Sequence, residues 1–100
     1  MLPLDQKKTW DDFYDSARHN EVLGEKETLL VHLAAAMALG CYPCMQHYLG
    51  AARELGVSGS EIGAVQACVM AVAGGKVNAE LREAAARSRA SAAGEGSCDC

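Results

Sequence analysis

The sequence predicts an all-α fold, and three observations carry that prediction. Ala and Leu are abundant while aromatic and β-branched residues are scarce, with two prolines in 100 residues. Apolar residues recur at spacings of three and four along successive stretches. Between those stretches stand helix boundaries: Gly40, Gly56 and the S-x-x-E form Ser58-Gly59-Ser60-Glu61. Half of the residues are apolar, enough for one domain with a modest core. That domain is expected over residues 1–90, followed by a small, polar, glycine-bearing tail over residues 91–100.

Each element has its own signal. Trp10, Phe13, Tyr14 and Ala17 form the stripe of a first amphipathic helix over about residues 5–19, with Asp11, Asp12 and Asp15 off the stripe. A break at residues 20–24 follows, with Leu23 turned inward. Leu29, Leu30, Leu33, Ala34, Met37 and Ala38 give a second helix over residues 25–39 a broad apolar face, stopped by Gly40. A third helix runs over residues 42–55 and stops at Gly56. Pro43 falls in its first turn, where a missing N–H costs nothing. The capping box at Ser58 opens a fourth helix through Ile62, Val65, Val69 and Val72 to Gly74-Gly75, with Cys68 as a small core residue. Asn78 then caps a fifth helix over residues 79–90.

The totals exclude several classes of function. Net charge is −4 with no dense basic patch, which argues against nucleic acid. Charged residues are expected to interrupt every long apolar run, so no membrane span is expected. The N-terminus lacks a signal peptide's basic-then-apolar order, and the expected compartment is the cytoplasm. In a reducing cytoplasm, five cysteines read as catalytic, metal-binding or incidental rather than as structural staples.

Chemistry concentrates in Gly40-Cys41-Tyr42-Pro43-Cys44-Met45-Gln46-His47-Tyr48. Two cysteines three apart place two thiols on one turn, close enough to form or exchange a disulfide. The pair opens a helix, where free N–H groups and the macrodipole favour a thiolate. Half of a zinc site is the alternative, but zinc wants four ligands and only His47 is close in sequence to the two cysteines. No resident metal or cofactor is expected. His32, near the apolar face of the second helix, is either a packed histidine or an acid–base group.

The middle of the chain resembles the alkylhydroperoxidase D-like branch of the carboxymuconolactone decarboxylase family. The resemblance covers about residues 25–77. It rests on Leu29-Leu30-Val31-His32-Leu33-Ala34-Ala35-Ala36, on Gly40-Cys41-Tyr42-Pro43-Cys44, on Ala51-Ala52-Arg53-Glu54-Leu55-Gly56-Val57, and on Ser60-Glu61-Ile62 with the closing Gly74-Gly75. It implies an orthogonal helical bundle of about five to six helices, assembled as a homo-oligomer, a trimer or hexamer. It also implies a dithiol that cycles with its disulfide, reducing a peroxide or a protein or small-molecule disulfide at the expense of a dithiol reductant. The decarboxylase branch lacks the cysteine pair, so Cys41 and Cys44 argue against lactone chemistry.

The departures from the branch are specific. A glutamate usually stands twelve residues before the first cysteine, and this chain has Leu29 there. A histidine usually stands four residues after the second, and this chain has Tyr48. The proton relay of the branch is thereby replaced, with His47, His32 and Tyr48 as candidate substitutes. Peroxide reduction needs a proton donor for its leaving oxygen more than disulfide exchange does, so the replacement shifts weight towards exchange. Either cysteine fits the attacking role: helix-terminus electrostatics favours Cys41, whereas the second cysteine usually attacks peroxide in the branch. Cys98 and Cys100 form a C-x-C pair at the end of the tail and are candidates for a redox shuttle to the central dithiol. The rival reading is an oligomeric redox-sensing or metal-thiolate binding protein without turnover.

Overall fold

A computed structural model of the chain describes residues 1–93. Cys98 and Cys100 lie outside the described residues. Among the described residues the fold is all-α, with four helices and no strand: α1 (Leu4–Arg18), α2 (Glu25–Leu39), α3 (Tyr42–Leu55) and α4 (Gly59–Ala93). The chain divides into two compact units, Met1–Val69 and Met70–Cys100. The cysteine pair and everything packed around it belong to the first.

The α2–α3 hairpin carries the core. Gly40 stops α2 in the left-handed conformation, φ 72°, which only glycine adopts without a Cβ penalty. Its N–H donates to the Met37 carbonyl at 3.3 Å, and the Cys41 N–H donates to the Ala36 carbonyl at 2.9 Å. That pair of bonds is a Schellman motif. Cys41 then acts as N-cap of α3, its carbonyl accepting the Met45 N–H at 2.9 Å. Two residues therefore turn the chain back on itself, and α2 and α3 pack antiparallel. Leu29 and Leu33 from α2 meet Tyr48 and Ala52 from α3, with Met37, Cys44, Ala51, Val57 and Ile62 against them. Leu33 and Ala52 are fully buried.

The connection from α1 to α2 is built on Asn20. Its Oδ1 accepts the N–H groups of Val22 and Leu23 at 3.1 and 2.7 Å, while its Nδ2 donates to the Ala17 carbonyl and to the buried Thr28 hydroxyl. This Asx arrangement holds the turn through polar atoms, and Leu23 points outward instead of inward, 45 % exposed. On α1 only Tyr14, Ala17 and Arg18 are partly covered, and Trp10 and Phe13 stay exposed.

Helix α4 begins as its capping box dictates. The Glu61 N–H donates to Ser58 Oγ at 3.1 Å and the Ser58 N–H to Glu61 Oε1 at 3.0 Å. Lys26, in the first turn of α2, pairs with the same Glu61 carboxylate. The Lys26 ammonium first, then the Ser58 N–H, pull the Glu61 carboxyl from 4.5 down to about 2. A depressed carboxyl contributes stability above its unfolded value and loses it as pH falls through the folded one. Glu61→Gln is therefore expected to lower the thermal midpoint near neutrality. The gap from the parent protein should close between pH 4.5 and 2 in a melting series. A gap that stayed constant over that window would remove the ion pair from the account of stability.

The expected helix count is too high because the fourth and fifth helices are one. Gly74, Gly75 and Asn78 all lie inside α4, which runs 35 residues without interruption. Each interior glycine costs about 1 kcal/mol relative to alanine, which the Ala, Glu, Leu and Arg residues elsewhere in the helix offset. The expectation that charge interrupts every long apolar run also fails here. By length and composition α4 is long and apolar enough to cross a membrane, with an 18-residue window of mean hydropathy 1.3. Its apolar character comes from Ala, Gly and Val. Cys68 is exposed, not a core residue. The second unit, from Met70 onward, is the remainder of α4, carrying the exposed ion pairs Lys76–Glu80 and Arg87–Glu83.

Candidate active site

The geometry that positions Cys41 and Cys44 follows from the hairpin turn. Cys41 is the N-cap of α3 and is half-buried, and Cys44 sits one turn in with Pro43 in the first turn. Both are free thiols. A hydrogen bond to Cys41, then burial, then the charge of Cys41 push the Cys44 thiol above its ordinary value. The raised value favours the protonated form of Cys44 beside Cys41.

Tyr48 lies four residues beyond Cys44, on the same face of α3. Helical side chains lean towards the N-terminus, so Tyr48 leans towards the turn that carries Cys44. Tyr48 is buried, 5 % exposed, in the same cluster as Cys44. Its hydroxyl is pushed up to about 12, by burial first and then by a hydrogen bond to Tyr14. The two hydroxyl oxygens are 2.7 Å apart. Tyr14 comes from α1, so this bond ties the first helix to the site. The Arg18 guanidinium lies over the Tyr14 ring, 5.1 Å from its centroid.

His32 completes the group from α2. Its ring centroid is 5.2 Å from that of Tyr48 and 6.5 Å from that of Tyr14. Nδ1 lies 2.9 Å from the Thr28 carbonyl oxygen, which only accepts, so Nδ1 carries a proton. In the neutral ring Nε2 is then the free acceptor, a base one ring away from the tyrosine pair. His47 is exposed and sets its ring edge-on to Tyr48 at 5.0 Å. It faces a cleft of about 300 Å³ shared with Arg18, Glu25, His32, Tyr48 and Glu54. Neither cysteine lines that cleft. Tyr48 belongs to both sides, packing with Cys44 and forming part of the cleft wall.

The structure therefore packs Cys44 against the cluster that holds Tyr48, with Cys41 one turn away, and sets His32 and the exposed His47 against the Tyr48 ring on the cleft side. Where the redox branch carries glutamate, Leu29 is core, 9 % exposed. Tyr14 is the residue the sequence did not single out. Its helical stripe marked it as apolar, and nothing local signals a hydroxyl partner 34 positions away.

The model of the carboxymuconolactone decarboxylase family matches residues 5–94. The chain belongs to that family. The match extends beyond the central blocks to include α1, the helix that supplies Tyr14 and Arg18. No curated protein and no solved structure gives a match. Within the family, the Cys41–Cys44 pair is what makes this chain resemble the alkylhydroperoxidase D-like branch.

Proposed function

We propose that this family member is a thiol-based redox protein whose Cys41–Cys44 dithiol cycles with its disulfide. Disulfide exchange is its main reaction and peroxide reduction the lesser one. The observation that carries this reading is the dithiol at the N-terminus of α3, with Cys41 at the N-cap and Cys44 one turn in. Such a pair supplies one thiol to attack and a second to resolve the adduct. Peroxide chemistry is secondary because Leu29 and Tyr48, an aliphatic residue and a phenol held at about 12, stand where the branch keeps its proton relay. The absence of both cysteines from the cleft walls also suits a partner that approaches the turn from outside. Val31, Leu39 and Tyr42 are exposed at 56, 84 and 73 % and supply apolar surface for that partner or for a second copy of the chain. The protein works as a homo-oligomer in a reducing cytoplasm.

Thiol trapping with mass spectrometry across a series of redox buffers tests this reading. One reversible two-electron couple joining Cys41 to Cys44 is expected, with oxidation by a small disulfide outpacing oxidation by an organic hydroperoxide. A pair that stays reduced in every buffer would overturn it. Faster oxidation by the hydroperoxide would reverse the order of the two activities. A redox sensor without turnover is the second reading. It is favoured by the exposed Cys68, a further thiol open to oxidation, and is distinguished by a disulfide that forms but is not re-reduced by dithiols.

A further inference from the structure

We propose that Tyr14 is a positioning residue for the dithiol, acting through Tyr48 to present an O–H to the Cys44 sulfur as the Cys41–Cys44 disulfide is opened. The proposal rests on the redox reading above and adds to it a residue from α1. Tyr14 and Tyr48 share one hydrogen bond of 2.7 Å in a partly buried setting. Two hydroxyls bring two protons to that bond and use one, so the second is free to point elsewhere. When Tyr14 donates to Tyr48, the free proton is on Tyr48, which stands one helical turn beyond Cys44 in the same packed cluster. Burial and the Tyr14 bond hold Tyr48 at about 12, so it remains a donor at every pH where thiols react. The charged and titratable groups facing the pair are Arg18 over the Tyr14 ring, His32 against both rings, His47 against Tyr48, and Cys44 itself.

The step is a reduction by an external dithiol. One of its sulfurs, as a thiolate, attacks Cys41 Sγ. A new sulfur–sulfur bond forms to Cys41, the Cys41–Cys44 bond breaks, and its electron pair leaves on Cys44 Sγ. In that mixed disulfide Cys41 carries no proton, so the Tyr48 O–H is the donor to the new charge. Tyr14 turns its own O–H to the Tyr48 oxygen, which strengthens the donor. Neither tyrosine gives up its proton, and solvent later protonates Cys44. The second sulfur of the reductant then attacks the mixed disulfide, releasing Cys41 and leaving the reductant as a cyclic disulfide. Two electrons have passed to the protein.

The test uses the full chain with dithiothreitol as reductant, in four versions: parent, Tyr14→Phe, Tyr48→Phe and the double variant. Phenylalanine keeps the ring against His32 and beneath Arg18, so the packing is retained. Tyr14→Phe is expected to slow reduction of the Cys41–Cys44 disulfide about three- to tenfold in the parent background, and to have no effect once Tyr48 is Phe. In a Cys41→Ser background, Tyr14→Phe is also expected to move the thiolate absorbance titration of Cys44 to higher pH, a readout that packing alone does not move. An unchanged rate, or the same slowing with and without the Tyr48 hydroxyl, would overturn the role of Tyr14 while leaving the dithiol reading in place. A parent protein with no reversible couple would overturn both.

Discussion

Cys44→Ser is expected to accumulate a mixed disulfide on Cys41, whereas Cys41→Ser is expected to accumulate none. The asymmetry follows from the position of Cys41 at the N-cap of α3, while Cys44 packs against the apolar cluster. With Cys44 absent, Cys41 still attacks a partner disulfide but has no neighbour to resolve the adduct, so the intermediate persists. With Cys41 absent, the remaining thiol is half-buried against Tyr48 and the apolar cluster, and it lacks the N-cap position. Each variant should lower steady-state exchange on the order of 10³-fold or more, as expected when one member of a pair acting as a unit is removed. Incubation with a chromogenic aromatic disulfide, followed by intact-mass analysis, reads both outcomes. A trapped adduct on Cys44 in Cys41→Ser, and none in the reverse variant, would exchange the two roles.

The second large effect is on stability. Leu33→Ala is expected to cost about 2–5 kcal/mol, because Leu33 is fully buried and its removal leaves a cavity that rigid neighbours refill only in part. A loss of that size is a large fraction of what a chain of this length has to spare. At about 4–8 °C per kcal/mol for a small domain, the thermal midpoint should fall by tens of degrees or the fold should be lost. Among the described residues the buried apolar ones are Leu29, Leu33, Ala36, Tyr48 and Ala52, so few others can compensate. Val31→Ala, on the exposed side of the same helix, is the control and should change the midpoint little in the isolated chain. A small shift for Leu33→Ala by circular dichroism would mean that stability resides elsewhere, in contacts between copies of the chain.

How far the sequence could be read depended on whether the deciding forces were local. The limits of α2 and α3 were legible to the residue because a left-handed glycine at Gly40 and Gly56 and a proline in the first turn act over one turn of chain. The capping box at Ser58 was legible for the same reason. Gly74, Gly75 and Asn78 misled because each is a breaker only statistically, and the good helix formers on both sides, Ala before and Ala, Glu, Leu and Arg after, outweigh their cost. Leu23 misled because Asn20 satisfies that turn with polar atoms and needs no apolar plug. In the site, Cys41 and Cys44 were legible from spacing, and His32 from its place one turn along from Leu29. Tyr14 was not legible at all. Its hydroxyl has meaning only once α1 lies against α2 and its side chain reaches Tyr48 of α3, and a helical stripe gives the same signal for a tyrosine that packs and one that donates.

The junction between α2 and α3 has a consequence for how this chain can vary in length. Cys41 is the residue whose N–H completes the closure of one helix and whose carbonyl begins the next, with Gly40 alone before it. There is no slack between Leu39 and Tyr42. An added residue there would part the stop from the cap and rotate one thiol away from its neighbour, even with both cysteines and every core residue retained. The Asn20–Gly24 connection is different, because its bonds centre on one side chain and its apolar residues already face outward. Insertions and deletions belong in that turn. The spacing of the dithiol is thus guarded by backbone geometry as much as by the identity of its two cysteines.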